Sequence, residues 1–104
     1  MVIRLELEPN RKNILLREEN EQGFISFFGG IYSINAVSLE ILKGLNNGQE
    51  LSNLIEDILE DYGIEKMELL EDVKEFFYQL QSIGIISKEL LGNYKEVLNE
   101  ISRN

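Results

Sequence analysis

The sequence contains no cysteine, no histidine and only one proline among its 104 residues. Without cysteine there are no disulfides or thiolate metal ligands, and without histidine the commonest general base and zinc ligand is missing. No apolar run approaches the ~20 residues that span a bilayer, and the start at Met1–Arg4 lacks the apolar stretch of a secretory signal. The missing cysteine and histidine exclude thiol-based and histidine-based catalytic mechanisms. The missing apolar segments lead us to expect a cytosolic protein.

Basic residues are also scarce, because 10 Lys and Arg stand against 19 Asp and Glu and the net charge is −9. From Ala36 onward, 14 acids face 6 bases. Such a surface repels nucleic-acid phosphates and anionic lipid headgroups. We therefore expect no nucleic-acid and no membrane partner, and a basic or neutral partner is easier to accommodate. The apolar fraction of 43% and the chain length are those of one folded domain over 1–104.

Strand patterns fill the first third of the chain. Val2–Glu8 alternates between apolar and charged residues, which is the period of a half-buried strand. Three short apolar segments follow, separated by turn residues: Ile14–Glu18, Phe24–Phe28 and Ile31–Ile34. Together they predict an antiparallel meander.

Helical patterns fill the rest. Apolar residues recur at three- and four-residue spacing after Asn35, after Ser52, from Glu68 to Ser82 and from Lys88 to Arg103, where only Gly92 interrupts the stripe. Strands first and helices afterwards predict an α+β domain.

Several spaced small and apolar positions resemble the PqqD-like family: Gly30–Asn35, Ile41–Leu42, Gly48, Asp72–Val73, Phe76–Phe77, Leu80 and Gly84–Ile86. Members of this family include the recognition elements that hold the leader segment of ribosomally made, post-translationally modified peptides. The resemblance covers residues 14–86, the expected peptide-binding core. It implies a winged helix-turn-helix-like fold with a three-stranded antiparallel sheet and three helices. Residues 88–103 would be an extra C-terminal amphipathic helix.

The resemblance also implies a binding mode without catalysis. The leader segment of a precursor peptide would add as a further strand beside the third strand and against the third helix, for delivery to a peptide-modifying enzyme such as a radical SAM protein, a protease or a cyclase. In this mode an edge strand offers unpaired backbone groups and side-chain pockets select the guest. Carried over to this chain, the strand residues are Ile31, Tyr32, Ser33 and Ile34.

The third helix requires a choice of face. Leu69, Val73, Phe76, Leu80 and Ile83 form the best inward stripe. The adjoining face, which we predict to be the wall of the peptide cleft, carries Leu70, Lys74, Phe77, Tyr78 and Gln81. Phe77 and Tyr78 would bury apolar side chains of the guest, and Lys74 would pair with an acid. An error of one step in helix phase would exchange Phe77 with Phe76.

Plainer interpretations exist for each of these features. Most phenylalanines belong to the core of any folded domain. The pairs Glu56-Asp57, Glu60-Asp61 and Glu71-Asp72 are typical of solvated helix faces, and no calcium-loop pattern surrounds them. We therefore predict no metal and no cofactor.

Three other functions fit the sequence less well than peptide binding. A winged helix suggests DNA binding, but the third helix carries four acids and one lysine before Phe76, which phosphate repulsion disfavours. Ser38 near a helix start suggests an acyl carrier, yet Val37 stands where the usual aspartate precedes the serine. Catalysis lacks a paired nucleophile and base, a phosphate-binding glycine loop and a cofactor fingerprint.

Two alternatives stay open at this point. The stripe over 88–103 could pack against a second copy, giving a homodimer, or against an enzyme, so that the chain acts as a structural or oligomerising adaptor. Val2–Glu8 could lie beside the third strand and occupy the place of the guest.

Overall fold

The computed structural model describes all residues from Met1 to Asn104, and it contains four strands followed by four helices. The elements are β1 (Val2–Arg4), β2 (Leu15–Glu19), β3 (Gln22–Phe27), β4 (Gly30–Ile34), α1 (Ala36–Asn46), α2 (Leu51–Tyr62), α3 (Lys66–Ser82) and α4 (Lys88–Arg103). The predicted α+β class is confirmed. The sheet has one strand more than the three predicted, because β1 joins it.

The four strands form one antiparallel sheet in the order β1-β2-β3-β4. Two tight turns fix its register, one at Asn20-Glu21 and one at Phe28-Gly29, and in each turn both residues have positive φ. This pair of positive φ angles is the mark of a type I′ turn, whose twist matches that of the flanking strands. Each turn therefore connects two neighbouring strands directly.

The N-terminal strand lies at the edge of the sheet opposite to β4. Val2 pairs with Arg17 and Arg4 pairs with Leu15, and the amide of Leu5 then donates to the carbonyl of Ile14 at 2.8 Å. The alternative in which Val2–Glu8 runs along the third strand of the meander is therefore wrong. Only the first three residues of that segment are strand, and the place beside β4 is not taken by this chain.

Side-chain caps define where three of the helices begin. Asn35 accepts a hydrogen bond from the amide of Ser38, and Ser87 accepts one from the amide of Leu90. Glu65 accepts from the amides of Met67 and Glu68, which starts α3 two residues earlier than the periodicity predicts. A short polar side chain at such a position satisfies an amide that has no partner within the helix.

One hydrophobic core of 22 buried residues joins the inner face of the sheet to all four helices. Leu16, Ile25 and Ile34 contribute from the strands. The outer face of the sheet, which carries Leu15 and Ile31, remains exposed. No helix of the fold combines the length and the apolar character needed to cross a bilayer.

The last helix is part of this core. Leu91 and Leu98 of α4 are buried, and the ring of Tyr94 stacks on Phe77 with 4.5 Å between the ring centroids. Burial, with a smaller contribution from the charge of Glu8, raises the pKa of the Tyr94 phenol to about 12. The apolar stripe of α4 therefore packs largely against the core of its own chain, although Leu90, Val97 and Ile101 remain only partly buried.

Two glycines within helices differ in the space available for a side chain. A Cβ added at Gly44 of α1 would lie 2.2 Å from Cδ2 of Leu54 and 2.7 Å from Oε1 of Gln49, so this glycine allows α1 and α2 to approach closely. A Cβ added at Gly92 of α4 would have no heavy atom within 4 Å.

These surroundings predict opposite effects of the same substitution. Gly92→Ala gains helix propensity without a clash, and we expect it to raise the free energy of unfolding by about 1 kcal/mol. Gly44→Ala gains the same propensity but overpacks the helix contact, which costs about 1 to 3 kcal/mol, so we expect a net loss. Urea unfolding of the two variants measures both values. Equal stabilisation by the two alanines would contradict the packing of α1 on α2.

Candidate functional site

The backbone of β4 presents an open edge. In a hairpin closed by a two-residue type I′ turn, the residues that flank the turn exchange both of their hydrogen bonds, and hydrogen-bonded pairs then alternate along the strands. Gly30, Tyr32 and Ile34 therefore bond to β3, whereas Ile31 and Ser33 direct their N–H and C=O groups away from the sheet. No side chain of the protein donates to or accepts from these outward groups.

The opposite edge, at β1, is partly covered by a side chain. Asn46, the last residue of α1, donates from Nδ2 to the carbonyl of Arg4 at 3.0 Å and accepts at Oδ1 from the amide of Glu6 at 2.7 Å. Its amide group thus occupies the outward groups at the C-terminal end of β1. No side chain bonds to the outward groups of β4, and an exposed strand edge of this kind is available for pairing with another chain.

A groove runs between the free edge of β4 and α3, and we call it the β4–α3 groove. It consists of two adjoining cavities of about 400 and 520 Å³ that share Ser33, Ile34, Phe76 and Gln79. The smaller cavity is lined further by apolar residues, which are Ile25, Ile31, Tyr32, Leu80 and Ile83. The larger one extends past Asn35 to the N-terminal half of α3. This volume is adequate for the side chains of one extended segment.

The two ends of the groove differ in charge. Ile31, Tyr32, Leu80 and Ile83 form its apolar end, and Asp72 and Glu75 stand over its acidic end. Both carboxylates are exposed. The salt bridges of the protein are Arg17–Glu19 and Lys43–Glu18, so neither Asp72 nor Glu75 forms an ion pair. No group of acidic side chains in the protein is arranged to hold a metal ion.

The strand residues predicted from the sequence all lie on this site. Ile31 is 65% exposed, Tyr32 and Ser33 are exposed, and Ile34 closes the inner side of the strand. The side chain of Ser33 accepts a hydrogen bond from Nε2 of Gln22 on the outer face of the sheet.

The helix residues predicted from the sequence lie elsewhere. Phe77 has no exposed surface and stacks on Tyr94, and Leu70 is buried as well, so the face chosen as the cleft wall is the one that packs on α4. Tyr78 is exposed under the ammonium of Lys95, and Lys74 and Gln81 are half-buried. None of these five residues lines the β4–α3 groove.

The α3 residues that do line the groove belong to the stripe that we predicted to be wholly internal, together with polar residues beside it. They are Leu69, Asp72, Val73, Glu75, Phe76, Gln79, Leu80 and Ile83. The physical reason is that α3 is apolar on two sides, and α4 covers one of them. Phe76 and Phe77 are adjacent and equally apolar, so only the position of α4 distinguishes them.

Comparison with known proteins agrees with this geometry. A family model described as Coenzyme PQQ synthesis protein D (PqqD) matches residues 12–86. The matched span contains β2, β3, β4 and the first three helices, and thus every element that lines the groove. It leaves out β1 and α4. No curated protein and no solved structure matches the chain.

The placement of α3 predicts different effects for two neighbouring aromatic residues. We expect Phe77→Ala to lower the free energy of unfolding by about 3 to 5 kcal/mol, because it leaves a cavity against Tyr94. Tyr78→Ala removes an exposed ring and should cost about 0.5 kcal/mol or less. Chemical denaturation followed by circular dichroism measures both. A small loss at Phe77 together with a large one at Tyr78 would contradict the assigned face.

Proposed function

The chain belongs to the PqqD family, and from this premise we propose that it binds the leader segment of a ribosomally made precursor peptide as an added strand beside β4. The observation that carries the proposal is the vacant edge at Ile31 and Ser33, which lies next to the β4–α3 groove. The function of the chain is then to recognise the leader segment, and a separate enzyme modifies the peptide.

The backbone edge supplies affinity without sequence preference. A guest strand gains hydrogen bonds to the outward N–H and C=O groups of Ile31 and Ser33, each worth about 0.5 to 1.5 kcal/mol net. Asn46 obstructs the C-terminal end of the other edge, at β1, which is a strand of 3 residues. The longer open edge, at the 5 residues of β4, is therefore the proposed place for the guest to pair.

The groove supplies selection. Guest side chains that point towards α3 meet Phe76, Leu80 and Ile83, and burying one large apolar side chain there contributes roughly 1.5 to 3 kcal/mol. The Leu70, Lys74, Phe77, Tyr78 and Gln81 face is not the cleft wall in this proposal, because α4 and solvent lie on that side.

The role in the pathway is that of a tether. A protein that holds the leader and contacts a modifying enzyme raises the effective concentration of the precursor at the enzyme. A radical SAM protein, a protease and a cyclase are the enzyme classes that the family relationship suggests. The chain itself would act as an accessory protein without catalytic activity.

Proline at Ser33 tests the binding mode. Ser33→Pro removes the outward N–H of the edge while the bonds of β4 to β3 are kept, because prolines are tolerated on edge strands where the nitrogen faces solvent. We expect binding of the leader peptide to weaken about tenfold or more, since one hydrogen bond is lost and the ring occupies the guest's path. Calorimetric titration with synthetic leaders of precursor peptides encoded beside the gene measures the change.

Three variants serve as controls for this experiment. Ser33→Ala loses the hydroxyl but keeps the amide, so it should bind as the unmodified protein does. Val2→Pro removes an outward amide from the β1 edge and should also leave binding intact. Tyr32→Pro, by contrast, removes an amide that bonds to β3 and should destabilise the sheet. Unchanged affinity of a folded Ser33→Pro protein would contradict strand addition at β4.

A further inference from the structure

The side chains of a strand beside β4 would alternate between the groove and the outer face of the sheet. Residues directly opposite each other in a sheet point to the same face, and Tyr32 and Ile34 point inward with their β3 partners Ile25 and Gly23. Guest residues opposite Tyr32 and Ile34 would therefore enter the groove. Successive groove-facing residues of the guest are two apart in sequence, about 6.6 Å along the strand.

The rise of α3 sets the distance between the acidic end and the apolar end of the groove, which the groove-facing residues of the guest would contact. The acidic end, at Asp72 and Glu75, lies beside Ser33–Asn35, and the apolar end, at Leu80 and Ile83, lies beside Ile31 and Tyr32. From Glu75 to Leu80 the helix rises about 7.5 Å, and from Glu75 to Ile83 about 12 Å. These distances correspond to guest residues two and four positions apart.

The two carboxylates have no partner within the protein. No Lys or Arg makes an ion pair with Asp72 or Glu75. The charges of the whole chain reinforce the local field, since the net charge is −9 and most of the excess acid lies in the helices. A cation of the guest that reaches this end would be partly shielded from water by the strand and by α3, and this strengthens the attraction relative to a fully exposed pair.

We infer that the β4–α3 groove selects a peptide strand that carries a Lys or Arg side chain and, two or four residues away on the same face, a large apolar side chain. The cation lies at Asp72 and Glu75, and the apolar side chain lies against Leu80 and Ile83. This inference rests on the proposed function, because it names the chemistry of the guest. It also reverses the expectation that Lys74 pairs with an acid of the peptide.

The test is a selection of random peptides about ten residues long, displayed on phage, against the folded protein. Peptides that bind the unmodified protein but not Ser33→Pro are retained as edge-dependent. They are then titrated by fluorescence anisotropy against Asp72→Lys/Glu75→Lys. The matched control is Asp57→Lys/Glu60→Lys, which changes the same residue types at the same spacing on exposed positions of α2 and gives the same net charge.

The expected result has two parts. Edge-dependent peptides should be enriched in a basic and an apolar residue two or four positions apart, and they should bind Asp72→Lys/Glu75→Lys about tenfold more weakly while binding the α2 control nearly unchanged. A second selection on Asp72→Lys/Glu75→Lys should enrich Asp or Glu at the position of the cation.

Failure of this inference can be distinguished from failure of the proposed function. Edge-dependent peptides without a basic residue would overturn this inference and leave strand addition in place. An equal loss with the α2 control would also overturn it, because the attraction would then come from net charge alone. If no peptide depends on Ser33, the proposed function fails, and the inference fails with it.

Discussion

The fold and the proposed function both depend on how the backbone groups at the two edges of one small sheet are satisfied. A four-stranded antiparallel sheet leaves two rows of donors and acceptors, and a folded protein must cover them, block them or use them. In this protein Asn46 bonds to the β1 row, and nothing bonds to the outward groups of Ile31 and Ser33 in the β4 row. The two type I′ turns determine which groups of β4 face outward, because they fix the register of β2 with β3 and of β3 with β4.

The helices place a groove beside this open edge. α3 stands beside β4 and contributes Phe76, Leu80 and Ile83 to the groove, while its other apolar side is held by α4 through the stack of Phe77 on Tyr94. α4 lies outside the residues that the family model matches, but it packs against α3, which forms one wall of the β4–α3 groove. The close approach of α1 to α2 at Gly44 contributes to the same core.

Much of the fold could be predicted from the sequence, because it is encoded locally. The capping residue Asn35 and the stripes of the four helices depend on neighbours in the chain, and the helices form nearly where those patterns predict. The strand expected over Val2–Glu8 is shorter, because it ends at Arg4. The helix bounds shift by a residue or two where an acidic cap such as Glu65 replaces the expected start. That Ile31–Ile34 end the meander could be predicted as well, but whether this strand stays at the edge depends on where β1 pairs.

Two features could not be predicted, because both depend on contacts distant in sequence. The place of β1 is decided by pairing with β2 and by the bonds from Asn46, about forty residues away in the chain. The groove-facing side of α3 is decided by α4, so the choice between Phe76 and Phe77 fails when only local periodicity is considered. A binding role for Asp72 and Glu75 could not be predicted either, because acidic residues on one face of a helix are typical of a face that is exposed to solvent.

The most direct test of the central claim is amide hydrogen exchange of the free protein, measured residue by residue by nuclear magnetic resonance. We expect rapid exchange at Ile31 and Ser33, whose amides face outward, and slow exchange at Tyr32 and Ile34, whose amides bond to β3. Protection of Ile31 and Ser33 equal to that of Tyr32 in the free protein would contradict it, because the edge would then already be occupied.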